Sequence, residues 1–327
     1  MLKLAIDFGT AMTKIYRLGS GIVLSEATCV TVQKDSGEVR AFGNEAKRLL
    51  GKTADMTDVC FPVYEGEIVS EKLAAALLEY FIKKISKSGS VEALFCVPCG
   101  YKEESREKVY KVAKMAGISR VHFAETPFLS ALGQDVPLSD SNPVFAIDIG
   151  AGVTSIAAFS LDGMIAGISM NVGGNNMDVH IIDHIAEEYS LKIGSLTSEK
   201  LKNTIGSLIP DDNQGTIING RDIATGKPRA VSVTSSVIEF PVRIYVDKII
   251  EYAELVLKKL PAEVSAAIGK NGLYLSGGVA NLAGIADYFE QRLQMEVHLA
   301  ADPQTAVVLG GGRAIGNASL LRRIRLD

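Results

Sequence analysis

The sequence predicts a duplicated α/β fold: two similar domains, each a mixed sheet with helices on both faces, closing on a cleft between them. Three observations carry this. The chain has 327 residues, more than one ordinary core needs and suited to two. The runs Ala5-Ile6-Asp7-Phe8-Gly9-Thr10 and Ala146-Ile147-Asp148-Ile149-Gly150-Ala151 share one form: an apolar strand, an Asp at its end, a Gly turn, then another strand. Strand-like and helix-like patterns alternate in both halves, as in sheets covered by helices.

The elements follow in order. Leu2–Asp7 is a short apolar strand, and Phe8-Gly9-Thr10 turns into strands at Lys14–Leu18 and Ile22–Leu24. Cys29–Val32 and Val39–Phe42 flank Asp35-Ser36-Gly37, a hairpin signal. Asn44–Leu50 is a small helix stopped by Gly51. Glu71–Ser86 is a long one, with Leu73, Leu77, Leu78, Phe81 and Ile85 at helical spacing. Leu94–Val97 is a buried strand, Lys102–Ala116 a helix, Val121–Ala124 a strand, and a helix begins at Pro127 with Thr126 near its start. The pattern restarts with strands at Val144–Asp148, Thr154–Ser160 and Met164–Asn171, then helices at Met177–Glu188 and Ser198–Ile205. A polar, β-like stretch runs over 210–235. A long helix (Ile238–Lys259), a strand (Leu273–Leu275), a helix (Asn281–Leu293), a strand (Val297–Leu299) and one closing helix (Thr305–Leu321) complete the chain. The expected domains are 1–140, with an insertion at about 29–64, and 141–315, with an insertion at about 183–238. Residues 316–327 form a helix end and tail returning to the first domain.

Composition excludes several classes. Hydrophobic residues are 47% and charged residues 22%, so cores can form and the chain is not disordered. A net charge of −4 gives a field that does not favour nucleic acid. No run of about 18 apolar residues exists to span a membrane, and Leu2–Ile6 is too short for a signal-peptide core. Cytoplasmic placement is expected. The basic cluster Arg322-Arg323-Ile324-Arg325 suits a solvated helix end or a contact with anionic lipid or an acidic partner. Cys96-Val97-Pro98-Cys99 has redox spacing but ends a strand instead of opening a helix, which favours packing over chemistry. His180 and His184 lie four apart without a Glu-based motif, as ordinary helix histidines do.

The two Asp-Gly turns carry chemistry. A polyphosphate with Mg²⁺ needs close backbone N–H groups, carboxylates for a hydrated metal, and hydroxyl donors. Asp7, Gly9, Thr10, Ala11, Met12 and Thr13 supply these from one half; Asp148, Gly150, Ala151, Gly152, Val153 and Thr154 supply them from the other. One such turn is most often merely structural. Two at equivalent places in matched halves point to a phosphate chain gripped from both sides.

These turns resemble those of the actin, sugar-kinase and heat-shock chaperone ATPase superfamily, and within it the sequence is most similar to the MreB family over nearly its whole length. Ile6–Thr13 is similar to I-D-L-G-T-A-N-T, Gly21–Glu26 to G-I-V-L-N-E, Tyr64–Ile68 to K-D-G-V-I, and Cys96–Gly100 to C-V-P-V-G. Asp148–Thr154 resembles D-I-G-G-G-T-T, Val172–Asp178 I-G-G-D-x-x-D, Leu275–Val279 L-T-G-G-G, Ala301–Val307 E-D-P-L-T-x-V, and Gly310-Gly311-Gly312 a G-G-G run. The resemblance implies an actin-like (ribonuclease H-like) fold, ATP or ADP with Mg²⁺ held mostly through water by Asp7 and Asp148, and self-association into filaments in cell-shape or positioning roles. It also implies that Gly173 and Gly174 approach the terminal phosphate. Glu199 and Lys202 would reach ribose and base, an exposed ion pair being the plainer alternative. Ser276, Gly277, Gly278 and Val279 would pass under the adenosine. A membrane surface or membrane-bound proteins are further implied partners, at the inner membrane.

Departures matter too. Met12, Ala151, Val153 and Val279 stand where the family has Asn, Gly, Thr and Gly. In Ala124-Glu125-Thr126-Pro127 the family reads I-E-E-P, so Thr126 stands at the Glu that orients the attacking water. Glu125 is a substitute candidate but one residue off. At most a slow ATPase is expected. The alternatives are a non-hydrolysing nucleotide-bound scaffold and a small-molecule kinase of the superfamily. A chaperone lacks room for a peptide-binding domain. Where relatives carry an apolar membrane loop, Lys87-Ser88-Gly89-Ser90 is short and polar.

Overall fold

Two sheets with the same internal plan frame the molecule. A computed structural model of the chain describes residues 1–52, 56–86, 89–138, 142–161 and 163–326. The first half runs β1 (Leu2–Phe8), β2 (Met12–Arg17), β3 (Gly21–Ala27), β4 (Val30–Gln33), β5 (Val39–Phe42), α1 (Gly43–Arg48), β6 (Thr57–Cys60), β7 (Val63–Tyr64), β8 (Glu67–Ile68), α2 (Glu71–Ile85), β9 (Val91–Val97), α3 (Glu103–Met115), β10 (Arg120–Glu125) and α4 (Thr126–Gly133). The second runs β11 (Val144–Ile149), β12 (Thr154–Ser160), β13 (Gly163–Met170), α5 (Gly174–Tyr189), β14 (Leu191–Lys192), α6 (Ser195–Ile205), β15 (Gly215–Asp222), β16 (Pro228–Thr234), α7 (Ser235–Leu257), α8 (Ala262–Asn271), β17 (Leu273–Ser276), α9 (Ile285–Leu293), β18 (Val297–Leu299), α10 (Ala306–Gly316), α11 (Ala318–Ile324) and β19 (Arg325–Leu326).

The first sheet has the order β19-β10-β9-β1-β2-β3 and the second β13-β12-β11-β17-β18. In each, a leading strand pairs antiparallel with the next strand and parallel with a later one: β1 with β2 and β9, β11 with β12 and β17. The restart seen in the sequence is therefore a repeat of topology. Strands β9 and β12 are buried along their whole length, being covered on both faces. Small sheets (β5-β4-β6 and β14-β15-β16) are set apart from the main ones, and the β7–β8 hairpin stands beside the first half.

Between the two main sheets lie α4 and α10, with Leu94, Phe128, Leu129, Phe159, Val307 and Ile315 in one shared core. Their close crossing explains the glycine run. A Cβ on Gly310 would lie 1.7 Å from the Leu129 carbonyl oxygen, and one on Gly133 1.9 Å from that of Ala306. Gly311 lies against Ala5 and Cys96, and Gly312 against the Tyr16 ring. Thus α10 rests on β1 and β2 of the first sheet, and β19 pairs antiparallel with β10 at its edge.

Several expectations need correction. The single closing helix is two helices, because Asn317 breaks it and its Oδ1 caps α11, accepting from the Ser319 and Leu320 N–H groups at 3.1 Å. The helix expected from Asn281 is a 3-10 turn (Gly278–Asn281), then Gly284 at φ +74°, then α9. Helix α8 and the short strands β6, β7, β8 and β14 were not expected. Lys87 and Ser88 of the polar loop, and the boundary at 140–141, lie outside the described residues. No helix among the described residues is long and apolar enough to cross a membrane.

Candidate functional site: a cleft between two hairpin tips

Each leading strand carries an Asp one residue before its end, Asp7 in β1 and Asp148 in β11, and turns through a two-residue hairpin tip. The tips are Thr10–Ala11 and Ala151–Gly152, and both turns close by the same bond. The Gly9 N–H donates to the Met12 carbonyl at 3.2 Å, and the Gly150 N–H to the Val153 carbonyl at 2.9 Å. Neither glycine has room for a Cβ, which would lie 2.9 Å from that same carbonyl oxygen in each. Among the described residues, no protein acceptor takes the N–H groups of Thr10, Ala11, Ala151 or Gly152. Four free donors at two tips form an anion cradle.

The tips meet. A Cβ on Gly152 would lie 2.7 Å from Thr10 Oγ1, and the Gly66 N–H donates to that hydroxyl at 3.1 Å. Residues of both halves line one cleft of about 370 Å³, a size fit for a small ligand. Its walls include Asp7, Gly9, Thr10, Ala11 and Met12 from the first half. Asp148, Gly150, Ala151, Gly152, Val153, Gly174, Glu199, Lys202, Gly277, Gly278 and Val279 come from the second, and Thr126 lies between.

Other expected residues serve the walls from behind. Thr13 Oγ1 shares a 2.9 Å bond with Thr28 Oγ1, and Thr154 Oγ1 donates to the Val172 carbonyl at 2.7 Å. Ser276 Oγ donates to Asp148 Oδ1 at 3.0 Å, fixing that carboxylate. Gly173 and Gly174 supply closeness, not free donors. The Gly173 N–H goes to Asn176 Oδ1 at 2.9 Å and the Gly174 N–H to the Gly150 carbonyl at 3.1 Å. A Cβ on Gly173 would lie 2.5 Å from the Gly150 carbonyl oxygen. Gly277, at φ +92°, passes against Ile149 so tightly that its Cβ would lie 2.3 Å from a carbonyl oxygen.

The charges are arranged for a cation. Burial raises Asp7 above the usual carboxylate range, with Lys14 at 3.7 Å opposing. Asp148 is pushed up to about 6, first by burial and then by the Asp7 charge; Ser276, Lys14 and Thr126 pull the other way. Two half-buried carboxylates with one lysine paired to Asp7 leave negative charge uncompensated, which a hydrated Mg²⁺ would offset. Among the described residues, no three or more His, Cys, Asp or Glu side chains are grouped so as to hold a metal ion by themselves.

Thr126 and Glu125 part company. Thr126 is the first residue of α4; its Oγ1 is buried without a hydrogen-bond partner at normal distance, yet close enough to favour charge on Asp148. The hydroxyl does not cap the helix. Glu125 turns away from the cleft: its Oε1 accepts the Gly100 N–H at 2.6 Å, and burial raises its pKa.

Glu199 and Lys202 do not pair with each other. Lys202 Nζ lies 2.8 Å from Asp178 and donates to the Gly174 carbonyl at 2.9 Å. Glu199 pairs with Lys47 of the first half at 2.7 Å. Lys14 and Asn203 line the cleft unforeseen, because only the fold brings them there, and Asp178 and Gln304 join them from the Val172–Asp178 and Ala301–Val307 motifs. Cys96 and Cys99 are buried free thiols; burial drives Cys96 far up and Cys99 to about 12, so neither is poised for redox chemistry. His180 packs edge-on against Phe240 and Tyr245.

The comparisons agree with this architecture. A family model described as MreB/Mbl protein matches residues 1–323. The chain is 32% identical over 328 residues to the cell shape-determining protein Mbl of Bacillus subtilis, covering 99% of this chain and 98% of Mbl. It is 33% identical over 321 residues to the cell shape-determining protein MreB of Escherichia coli K12, covering 95% and 92%. Among solved structures, MreB5 of Spiroplasma citri bound to ADP superposes with a TM-score of 0.90 at 29% identity, covering 94% of each chain. The same protein bound to AMPPNP gives 0.92 at 28%, covering 99% of this chain and 98% of that one. A MamK double helical filament shares the fold, at a TM-score of 0.83 and 21% identity over 97% of this chain and 99% of that one. The chain belongs to the MreB/Mbl family and has the actin-like fold.

Proposed function

We propose that this protein is an ATP-binding cytoskeletal subunit that assembles into filaments in the cytoplasm, in cell-shape or positioning functions, and hydrolyses ATP slowly. The observation that carries the reading is the pair of matching hairpin tips, with four free N–H groups and two half-buried carboxylates on one cleft. The phosphates would lie between Gly9–Met12 and Gly150–Val153, with Asp7 and Asp148 holding Mg²⁺ through water. When bound, the metal would neutralise the phosphate charge. Gly277 and Gly278 would pass under the nucleoside, and the Asp178–Lys202 pair would line its ribose and base end. Support comes from the family and from MreB5 structures holding ADP and AMPPNP. The non-hydrolysing scaffold remains the second reading, favoured by Thr126 and by a Glu125 carboxylate turned away.

Calorimetry with ADP and AMPPNP tests the core of this. The wild type should bind both with Mg²⁺, and Asp148→Ala should weaken binding roughly tenfold or more, about 1.4 kcal/mol. No binding by the wild type, with or without Mg²⁺, would overturn the reading.

A further inference from the structure

The two halves touch directly at the mouth of the cleft. Lys47 is on α1, beside the small β5-β4-β6 sheet of the first half. Glu199 is on α6, which packs on β15 of the second. Lys47 Nζ lies 2.7 Å from one Glu199 oxygen and 2.8 Å from the other, across 152 residues of chain. The two side chains keep 26% and 33% of their surface, so the pair is only partly solvated. Glu199 lines the cleft; Lys47 does not. A second tie, Asn171 Nδ2 to Glu65 Oε2 at 2.9 Å, joins the β7–β8 turn to the end of β13. That turn already sits on Gly152, with Glu65 Cα only 3.1 Å from where a Cβ would be.

We infer that the Lys47–Glu199 ion pair is a strap across the mouth of the nucleotide cleft, and that Lys47 is a positioning residue which sets how fast nucleotide leaves. The inference rests on the nucleotide reading above and extends it to a residue outside the cleft wall. A ligand enclosed between two bodies leaves only when they part, so any bond between the bodies adds to the barrier for release. An exposed ion pair contributes little, but this one is partly shielded and is anchored on two helices instead of two loops. Its anchors are firm on both sides. Ala46, next to Lys47, is fully buried in the small core with Ala27, Cys29 and Ala41, and Lys202, one turn after Glu199, is held by Asp178 and the Gly174 carbonyl.

A double-mutant cycle separates the strap from a simple ribose contact. Lys47→Met keeps the aliphatic stem and removes the charge; Glu199→Gln keeps hydrogen-bonding capacity and removes the charge; Lys47→Arg is the conservative control. Release of a fluorescent ADP analogue should quicken roughly two- to tenfold in Lys47→Met, stay near wild type in Lys47→Arg, and be no faster in the double variant than in Glu199→Gln alone. Release unchanged in Lys47→Met, or additive effects in the double variant, would overturn the strap. The second measurement needs no nucleotide. Spin labels on Arg48→Cys and Lys200→Cys, in a Cys60→Ser background, report the width of the mouth in the nucleotide-free protein. A wider or broader distance distribution in Lys47→Met supports the strap, and an unchanged one sinks it. Absence of nucleotide binding altogether would instead count against the proposed function, leaving the label distances to decide the strap alone.

Discussion

On the proposed function, single side chains decide whether the cleft would only hold ATP or also cleave it. Hydrolysis needs a water aligned with the terminal phosphate and a group to take its proton, and a missing general base costs about 10²–10⁴ in rate. Thr126 offers a short, neutral hydroxyl there, buried beside Asp148 and otherwise unpartnered. Glu125 is tied to Gly100 and cannot serve without breaking a 2.6 Å bond. Asp148 is committed to Ser276 and to any metal. The wild type should therefore release phosphate slowly under Mg-ATP, and Thr126→Glu should raise turnover roughly tenfold or more, less than the full factor because the new carboxylate adds charge beside Asp7 and Asp148. Brisk wild-type phosphate release, unchanged by Thr126→Ala, would show another group acting as base. This site was legible in sequence because its main parts are local: an Asp, a Gly and small residues within seven positions. Lys14, Asp178 and the Lys47–Glu199 contact were not, since each acquires its meaning only from a partner brought near by tertiary folding.

At the scale of elements, what could be read followed periodicity and length. Strands β11 and β12 and helix α2 stand within a residue or two of their expected bounds, because apolar runs and helical spacing leave little choice. The strands β7, β8 and β14, two residues each, show no period at all. The α10–α11 break was hidden because Leu320, Leu321 and Ile324 continue the apolar spacing past Asn317. Polar ties between strands were likewise invisible. Glu92 on β9, almost fully buried, pairs with His122 of β10 at 3.0 Å and Lys3 of β1 at 3.8 Å, knitting three parallel neighbours. Burial alone would raise its pKa; the His122 hydrogen bond, Lys3 and Arg120 outweigh that and hold it below the usual range. A depressed carboxylate pKa stabilises the fold above the unfolded value of about 4.3, and that contribution is lost as pH falls through the folded value. Glu92→Gln should thus cost roughly 1–2 kcal/mol at pH 7, seen as a lower melting temperature, with the gap to wild type closing below about pH 4. A gap that stays constant with pH would assign the loss to packing instead.

For the whole molecule, the question is how a cleft inside one subunit could govern contacts between subunits. A chain that repeats head to tail without closing into a ring makes an open polymer. Each subunit then presents surfaces from both halves at once, and those surfaces fit their neighbours only when the halves hold one relative orientation. Ties between the halves among the described residues include the α4–α10 layer, the meeting tips, and the contacts at the mouth. The first is a packed core and is present whatever is bound. The other two lie along the cleft, where a ligand gripped by both tips would favour the closed arrangement. A ligand shifts such an equilibrium only by its difference in affinity for the two states, and one that contacts both tips has that difference built in. Assembly should therefore follow cleft closure. Sedimentation at increasing protein concentration should show polymer at a lower critical concentration with AMPPNP and Mg²⁺ than without nucleotide. Lys47→Met should raise that threshold by roughly two- to tenfold, the scale of one partly exposed ion pair. A protein that stays monomeric at high concentration with either nucleotide would refute filament assembly. A threshold that responds to nucleotide but not to Lys47→Met would place the control at the tips alone, since the phosphate cradle would then close the halves without help from the mouth.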